Sequence, residues 1–166
     1  MIKLKEIYNT YIISEFTKSD YIEIPYGKDD GIDYDTLEDE GLEDYEDDIL
    51  DQIDTLEKES GIHFTRDRFI DTILFHKKDN KVVGVLYYSD DTDKFTFDVI
   101  VSKDYRNKGI ASYLVKLALD FYNFDTEMFN NKIEVDAVNP IMANLLKTKF
   151  NFKVKEKLPG REILTR

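Results

Sequence analysis

The stretch Arg106, Asn107, Lys108, Gly109, Ile110, Ala111 sets two cations beside a glycine where a β-rich run gives way to a helical one. The first turn of a helix has N–H groups without intrahelical partners and a partial positive charge, so a strand that turns straight into a helix offers a place for phosphate. Arg106 and Lys108 add full charges there. Gly109 lets the backbone approach a ligand with no Cβ in the way, and Ala111 is small for the same purpose. The strand end leading into this loop would lay a linear ligand alongside the sheet, with a pyrophosphate on the helix. Two other glycine motifs do not match: a dinucleotide fingerprint needs several spaced glycines, and a P-loop needs glycine and lysine followed by serine or threonine. On the loop alone a plainer reading also stands, in which Gly109 eases a turn and the cations are solvated.

The elements that position this loop follow from periodicity. Leu4, Ile7, Tyr8, Tyr11, Ile12 and Phe16 recur at helical spacing, after a very short first strand over 2–4. Residues 28–60 read as a solvated acidic loop running into a second helix, whose apolar stripe of Ile49, Leu50, Ile53 and Leu56 ends at Gly61. Three β-rich runs over 72–76, 82–88 and 95–101 are joined by the short polar links KKDN and SDDTDK, which predicts an antiparallel meander. A helix over 109–122 follows, with Ile110, Leu114, Leu117, Ala118 and Phe121 on one face, and then the strand KIEVDAV. Asn139 and Pro140 fill the cap and first-turn positions of a helix reaching Lys149. The chain ends in a predicted β-hairpin around Pro159 and Gly160. The fold class is α/β with a mixed sheet, in one domain over 1–166.

Composition narrows the function. The 166 residues carry a net charge of −12, and 29–59 holds sixteen acids against one lysine, which leaves the rest about +3. An anionic ligand can therefore bind the body of the chain despite the acidic total. With no cysteine, neither a disulfide framework nor a thiolate zinc site is available, which suits a cytoplasmic location. The N-terminal MIKLKEIYNTYIISEF is interrupted by charges, so neither a signal peptide nor a membrane span is expected. No metal is expected either. The two histidines, His63 and His76, have no carboxylate at a ligand spacing, and DDGIDYDTLEDE supplies no calcium-loop register.

The order of meander, VSKDYRNKGIASYL, helix, strand and NPIMANLLKTKFNF resembles the GCN5-related N-acetyltransferase (GNAT) family over roughly 71–166. That family's phosphate loop, R/Q-x-x-G-x-G/A, is matched by Arg106, Asn107, Lys108, Gly109, Ile110 and Ala111, and its later motif by Asn139 and Phe152. The resemblance implies an acyl-CoA N-acyltransferase fold whose fourth and fifth strands, here 95–101 and 132–138, splay apart to admit acetyl-CoA. It implies that the loop cradles the pyrophosphate, that Val99, Ile100 and Val101 offer backbone groups to the pantetheine arm, and that Asn139 stands beside the cleft. It also places 29–59 among the substrate-covering elements.

The expected activity is transfer of an acetyl group from acetyl-CoA to a primary amine, with a cationic acceptor drawn in by the acids. Such a protein acts as a monomer or homodimer, with no direct nucleic-acid or membrane partner. The family's tyrosine acid on the last long helix is not matched, since Leu145, Leu146 and Lys147 occupy that region; Tyr87 or Tyr88, expected with Val99 to line the inner cleft, could substitute, as could water. Asp98 and Asp136, on the two cleft strands, are the candidate bases, against the ordinary reading of solvent-facing strand acids. The alternative function is a noncatalytic protein of this fold whose acidic segment engages a basic partner or imitates nucleic acid.

Overall fold

The computed structural model describes residues 16–27, 31–61, 68–89, 94–124, 133–137 and 139–166. The predicted first strand, most of the N-terminal helix and His63 lie outside them. In chain order the elements are β1 (Tyr21–Gly27), β2 (Gly31–Ile32), α1 (Tyr34–Asp39), α2 (Glu46–Ser60), β3 (Arg68–His76), β4 (Lys81–Ser89), β5 (Phe97–Val101), α3 (Ile110–Phe124), β6 (Glu134–Ala137), α4 (Pro140–Lys149), β7 (Lys153–Leu158) and β8 (Arg161–Thr165).

The strands form a five-stranded antiparallel sheet in the order β2-β1-β3-β4-β5 and a three-stranded antiparallel sheet in the order β6-β8-β7. β4 is the best covered, with every residue from Val82 to Tyr88 buried. A run apolar on both faces needs a layer on each side. α2 supplies one, through Ile49, Ile53 and Leu56, and α3 the other, through Ile110, Leu114, Val115 and Ala118. Val85 and Tyr87 point toward α2, whereas Leu86 and Tyr88 point toward α3. α4 packs on β6 and β8, and its Ala143 and Leu146 join the α3 core.

The acidic segment is more ordered than a solvated loop. After β1, which precedes the segment, β2, helix α1 and a 3-10 turn at Glu43–Tyr45 come before α2. The reason lies in its few apolar residues: Ile32, Leu37 and Leu42 are buried in the same core as Ile22 and Ile24 of β1, on the α2 face of the sheet. Asp33 caps α1 by accepting the Thr36 N–H at 3.1 Å, so one of the acids has a local structural task. The predicted stripe on α2 is present, and Gly61 closes that helix at φ +67°.

Among the described residues the two sheets are joined by a parallel bridge, Phe95 to Ile133, where the Glu134 N–H donates to the Phe95 carbonyl at 2.9 Å. Beyond it β5 continues with β4 while β6 pairs with β8. These two strands, the fourth and fifth of the sequence prediction, therefore diverge from a shared pivot.

Candidate active site

The register of β5 on β4 decides which of its backbone groups face the opening. The Ser89 N–H donates to the Thr96 carbonyl at 3.2 Å, and the Ser102 N–H to the Val83 carbonyl at 2.9 Å. Hydrogen-bonded pairs alternate along an antiparallel ladder, so Asp98 and Ile100 also aim their N–H and C=O groups at β4. Phe97, Val99 and Val101 aim theirs the other way, toward the gap that β6 leaves. The Arg106 Nε contact to the Val101 carbonyl at 3.4 Å agrees with that direction. Of the three residues expected to offer backbone groups, Val99 and Val101 turn theirs outward, whereas Ile100 spends its groups on Val85.

The open edge runs into the glycine loop. After Val101 the chain makes a 3-10 turn at Lys103–Tyr105, with the Tyr105 N–H on the Ser102 carbonyl at 3.0 Å. Two left-handed residues, Asn107 at φ +62° and Gly109 at φ +82°, then turn it into α3. The Gly109 carbonyl accepts the first helical bond, from the Tyr113 N–H at 3.0 Å. The N–H groups of Ile110, Ala111 and Ser112 have no carbonyl within the helix to accept them. Arg106, Asn107 and Lys108 are exposed around this helix start. The combination of outward amides and two cations suits a multiply charged anion.

Gly84 sets how closely α3 can approach. A Cβ there would stand 2.9 Å from Leu114 Cδ1, 3.0 Å from Ile110 Cγ2 and 3.3 Å from the Ile100 carbonyl oxygen. Sequence reasoning passed over this residue, although an isolated glycine inside a strand is a signal of close backbone approach.

The two carboxylate candidates sit in different surroundings. Asp98 lies opposite Tyr87 in the ladder, on the α2 face shared with Ile100, and its Oδ2 is buried. It directly precedes Val99 at the open edge. Asp136 on β6 is held by Arg161, whose Nη1 donates to Oδ2 at 2.8 Å, while Oδ1 is buried without a hydrogen-bond partner among the described residues.

Tyr87 and Tyr88 cannot line one wall, since consecutive strand residues point to opposite faces. The Tyr87 hydroxyl donates to Glu57 Oε1 on α2 at 2.7 Å, and burial, reinforced by that carboxylate, pushes its ionisation far above the usual tyrosine range. Tyr88 packs under α3, its ring 4.9 Å from Phe121 and 5.1 Å from Phe95, and burial likewise raises it. Only Tyr88 shares the face of Val99. The Glu57 partnership was not legible in sequence, because it joins residues 30 apart across two elements.

On the other side of the gap, Asn139 caps α4: its Oδ1 accepts the Ile141 N–H at 2.9 Å, with Pro140 at the first helical position. Leu146 is fully buried, and Lys147 pairs with Glu162 at 2.6 Å. Phe152 is buried just before β7, its N–H on the Leu146 carbonyl at 3.1 Å, after Asn151 turns through φ +60°.

The sequence matches the acetyltransferase (GNAT) family model over residues 34–152. No curated protein matches it. Among solved structures, spermidine N-acetyltransferase from Vibrio cholerae, in complex with CoA and spermine, is 16% identical, with 89% of this chain and 94% of that one covered at a TM-score of 0.47. Campylobacter jejuni N-acetyltransferase PseH in complex with acetyl coenzyme A is 16% identical, covering 70% and 79% at a TM-score of 0.47. Ribosomal-protein-S5-alanine acetyltransferase from Vibrio fischeri is 14% identical, covering 75% and 71% at a TM-score of 0.47. The family match spans well over half of the sequence and takes in β3, β4, β5, the glycine loop and α4: this chain belongs to the GNAT acetyltransferase family.

Proposed function

We propose that the protein is an acetyl-CoA-dependent N-acetyltransferase acting on a primary amine, with a cationic acceptor. The observation that carries this reading is the continuous donor path from the outward backbone groups of Val99 and Val101 to the glycine loop and the first turn of α3. The donor set fits the cofactor: an extended arm finds a strand edge, and a pyrophosphate finds Arg106, Lys108 and the amides of Gly109, Ile110 and Ala111. Asn107 shapes the turn, and Asn139 supports the opposite rim. When bound, acetyl-CoA supplies an activated acetyl thioester.

The chain's own groups have separable tasks. An outward N–H on β5, aimed where negative charge develops on a carbonyl oxygen, is worth roughly 3 to 4 kcal/mol in a dry site. Asp98 is the proposed base that takes a proton from the acceptor's ammonium and so frees the amine that attacks, because its carboxylate precedes the strand edge and faces α2. Asp136 is the weaker candidate, since Arg161 already holds it. In the reaction the amine nitrogen bonds to the acetyl carbon, the carbon–sulfur bond breaks, the nitrogen gives up its second proton to water, and the thiolate takes up a proton from water or a tyrosine.

The exposed acids Glu43 and Asp44 of the 3-10 turn and Asp47 and Asp48 of the first turn of α2 give the acceptor's charge a reason to accumulate nearby. The absence of tyrosine from α4 favours the second reading, a noncatalytic GNAT-fold protein engaging a basic partner through those acids. Thiol release from acetyl-CoA across a panel of polyamines, lysine peptides and neutral amines decides between them. Release that depends on a cationic amine supports the enzyme; cofactor binding without release against any amine supports the binding protein.

A further inference from the structure

We infer that Asp79 is a positioning residue for the anion-binding loop and that it acts through Tyr105. The inference rests on the reading of that loop as the pyrophosphate site. Asp79 lies in the turn between β3 and β4, outside the family motif and outside the cleft. Its Oδ2 accepts the hydroxyl of Tyr105, the last residue before Arg106. A carboxylate acceptor makes this a charge-assisted bond, stronger than one between neutral groups. The effect is mutual: the Tyr105 hydroxyl holds the Asp79 carboxyl below its usual range, while burial and that carboxylate push the phenol upward.

Asp79 is anchored to the end of β3 through its backbone. The Asp79 N–H donates to His76 Nδ1 at 3.2 Å. His76 is the last residue of β3, and its ring packs 5.1 Å from Tyr21 and 5.3 Å from Tyr105. Tyr105 is in turn only 5% exposed, and its ring carries the Lys108 ammonium 4.4 Å from the centroid. That is within cation–π range. The chain of contacts runs from rigid strand to carboxylate, phenol, aromatic face and finally the loop cation. Because Lys108 is exposed and long, a fixed resting place removes entropy that anion binding would otherwise cost.

Two other consequences of Asp79 predict different signs, which makes the inference testable. As a bare negative charge near the loop, Asp79 would oppose an anion, so Asp79→Asn would tighten binding. As a stability element alone, it would leave affinity unchanged. Positioning predicts weaker binding despite the removal of a negative charge.

The experiment is calorimetric titration of the full chain with coenzyme A, for the wild type, Asp79→Asn, Tyr105→Phe and the double variant. Tyr105→Phe keeps the ring beneath Lys108 and loses only the hydroxyl, so it carries the test where Asp79→Asn fails to fold. The expected result is a loss of affinity by about threefold to tenfold in each single variant, with the double variant no weaker than the weaker single. In turnover the loss falls on the acetyl-CoA KM rather than on kcat. Wild-type protein that does not bind coenzyme A overturns the reading of the loop and the inference with it. Wild-type binding with unchanged or tighter binding in the variants overturns the inference alone.

Discussion

Gly84 on β4 and Leu114 on α3 are in contact across a space that a single methyl group would overfill, since a Cβ on Gly84 would stand 2.9 Å from Leu114 Cδ1. The second obstruction is Ile110 Cγ2 at 3.0 Å, and Ile110 is the first residue of the helix whose amides face the proposed cofactor. Gly84→Ala is therefore expected to push the start of α3 outward. Overpacking of this kind costs about 1 to 3 kcal/mol. Urea denaturation should show that loss, and coenzyme A affinity should fall with it; a variant as stable as wild type would mean that α3 is not held at this distance.

Gly109→Ala tests the loop from the other side. At φ +82° an L-residue is strained by roughly 1 to 2 kcal/mol, and the cheapest relief is to turn the peptide that presents the first helical amides. Cofactor affinity is expected to drop more than the melting temperature does. Calorimetry beside thermal melting checks the ratio, and equal losses in both would reduce Gly109 to a turn residue.

Asn139→Ala removes the side-chain oxygen that accepts the Ile141 N–H at the start of α4. About 1 kcal/mol of stability should go with it. Asn139→Asp should restore most of that loss, because aspartate caps as well as asparagine. Failure of Asp to rescue, with cofactor binding still impaired, would point instead to a role for the amide nitrogen at the cleft rim.

The meander, α3, α4 and the final hairpin rest on contiguous apolar runs and on local punctuation such as Asn139-Pro140 and Pro159-Gly160, so local sequence determines them. β1 was missed because Pro25 interrupts a short alternation and because the acids downstream dominate its neighbourhood, although Ile22 and Ile24 bury on alternate positions. The glycine loop was legible as a motif. The direction of Ile100 was not, since it depends on register with β4, which only pairing reveals. For the same reason neighbouring aromatics such as Tyr87 and Tyr88 looked like one wall and are two.

Glu134 links the pivot of the two sheets to pH. Its backbone donates to Phe95, and its carboxylate receives Lys155 at 2.5 Å and Lys94 at 3.7 Å. The hydrogen bond from Lys155 is the main cause that holds its carboxyl below the usual glutamate range, with Lys94 adding to it. A group depressed in the folded state contributes stability above its unfolded value, near 4.5, and that contribution disappears as pH falls through the folded value. Glu134→Gln should therefore be less stable than wild type at pH 7 and converge with it in acid. Parallel stability curves across that range would show that the ion pairs contribute nothing at the pivot.

The acids at the start of α2 give the last prediction. Among the described residues, Glu43, Asp44, Glu46 and Asp47 have no structural partner as specific as that of Asp33, which caps α1, or of Asp48, which binds Gln52 at 2.7 Å. If their field collects a cationic acceptor, changing these four to the corresponding amides should raise the acceptor KM and leave that for acetyl-CoA nearly unchanged. Salt should blunt capture in the wild type far more than in the variant, because screening reaches about 8 Å at physiological ionic strength. The same field stabilises the ammonium form, so it opposes deprotonation while it favours encounter. The variant's kcat should for that reason hold steady or rise as its KM rises. Glu46 and Asp47 also sit in the first helical turn, where each charge is worth about 0.3 to 1 kcal/mol to the helix, so melting is measured alongside. Unaltered acceptor KM and unaltered salt dependence in a folded variant would leave the acids a solvating role only.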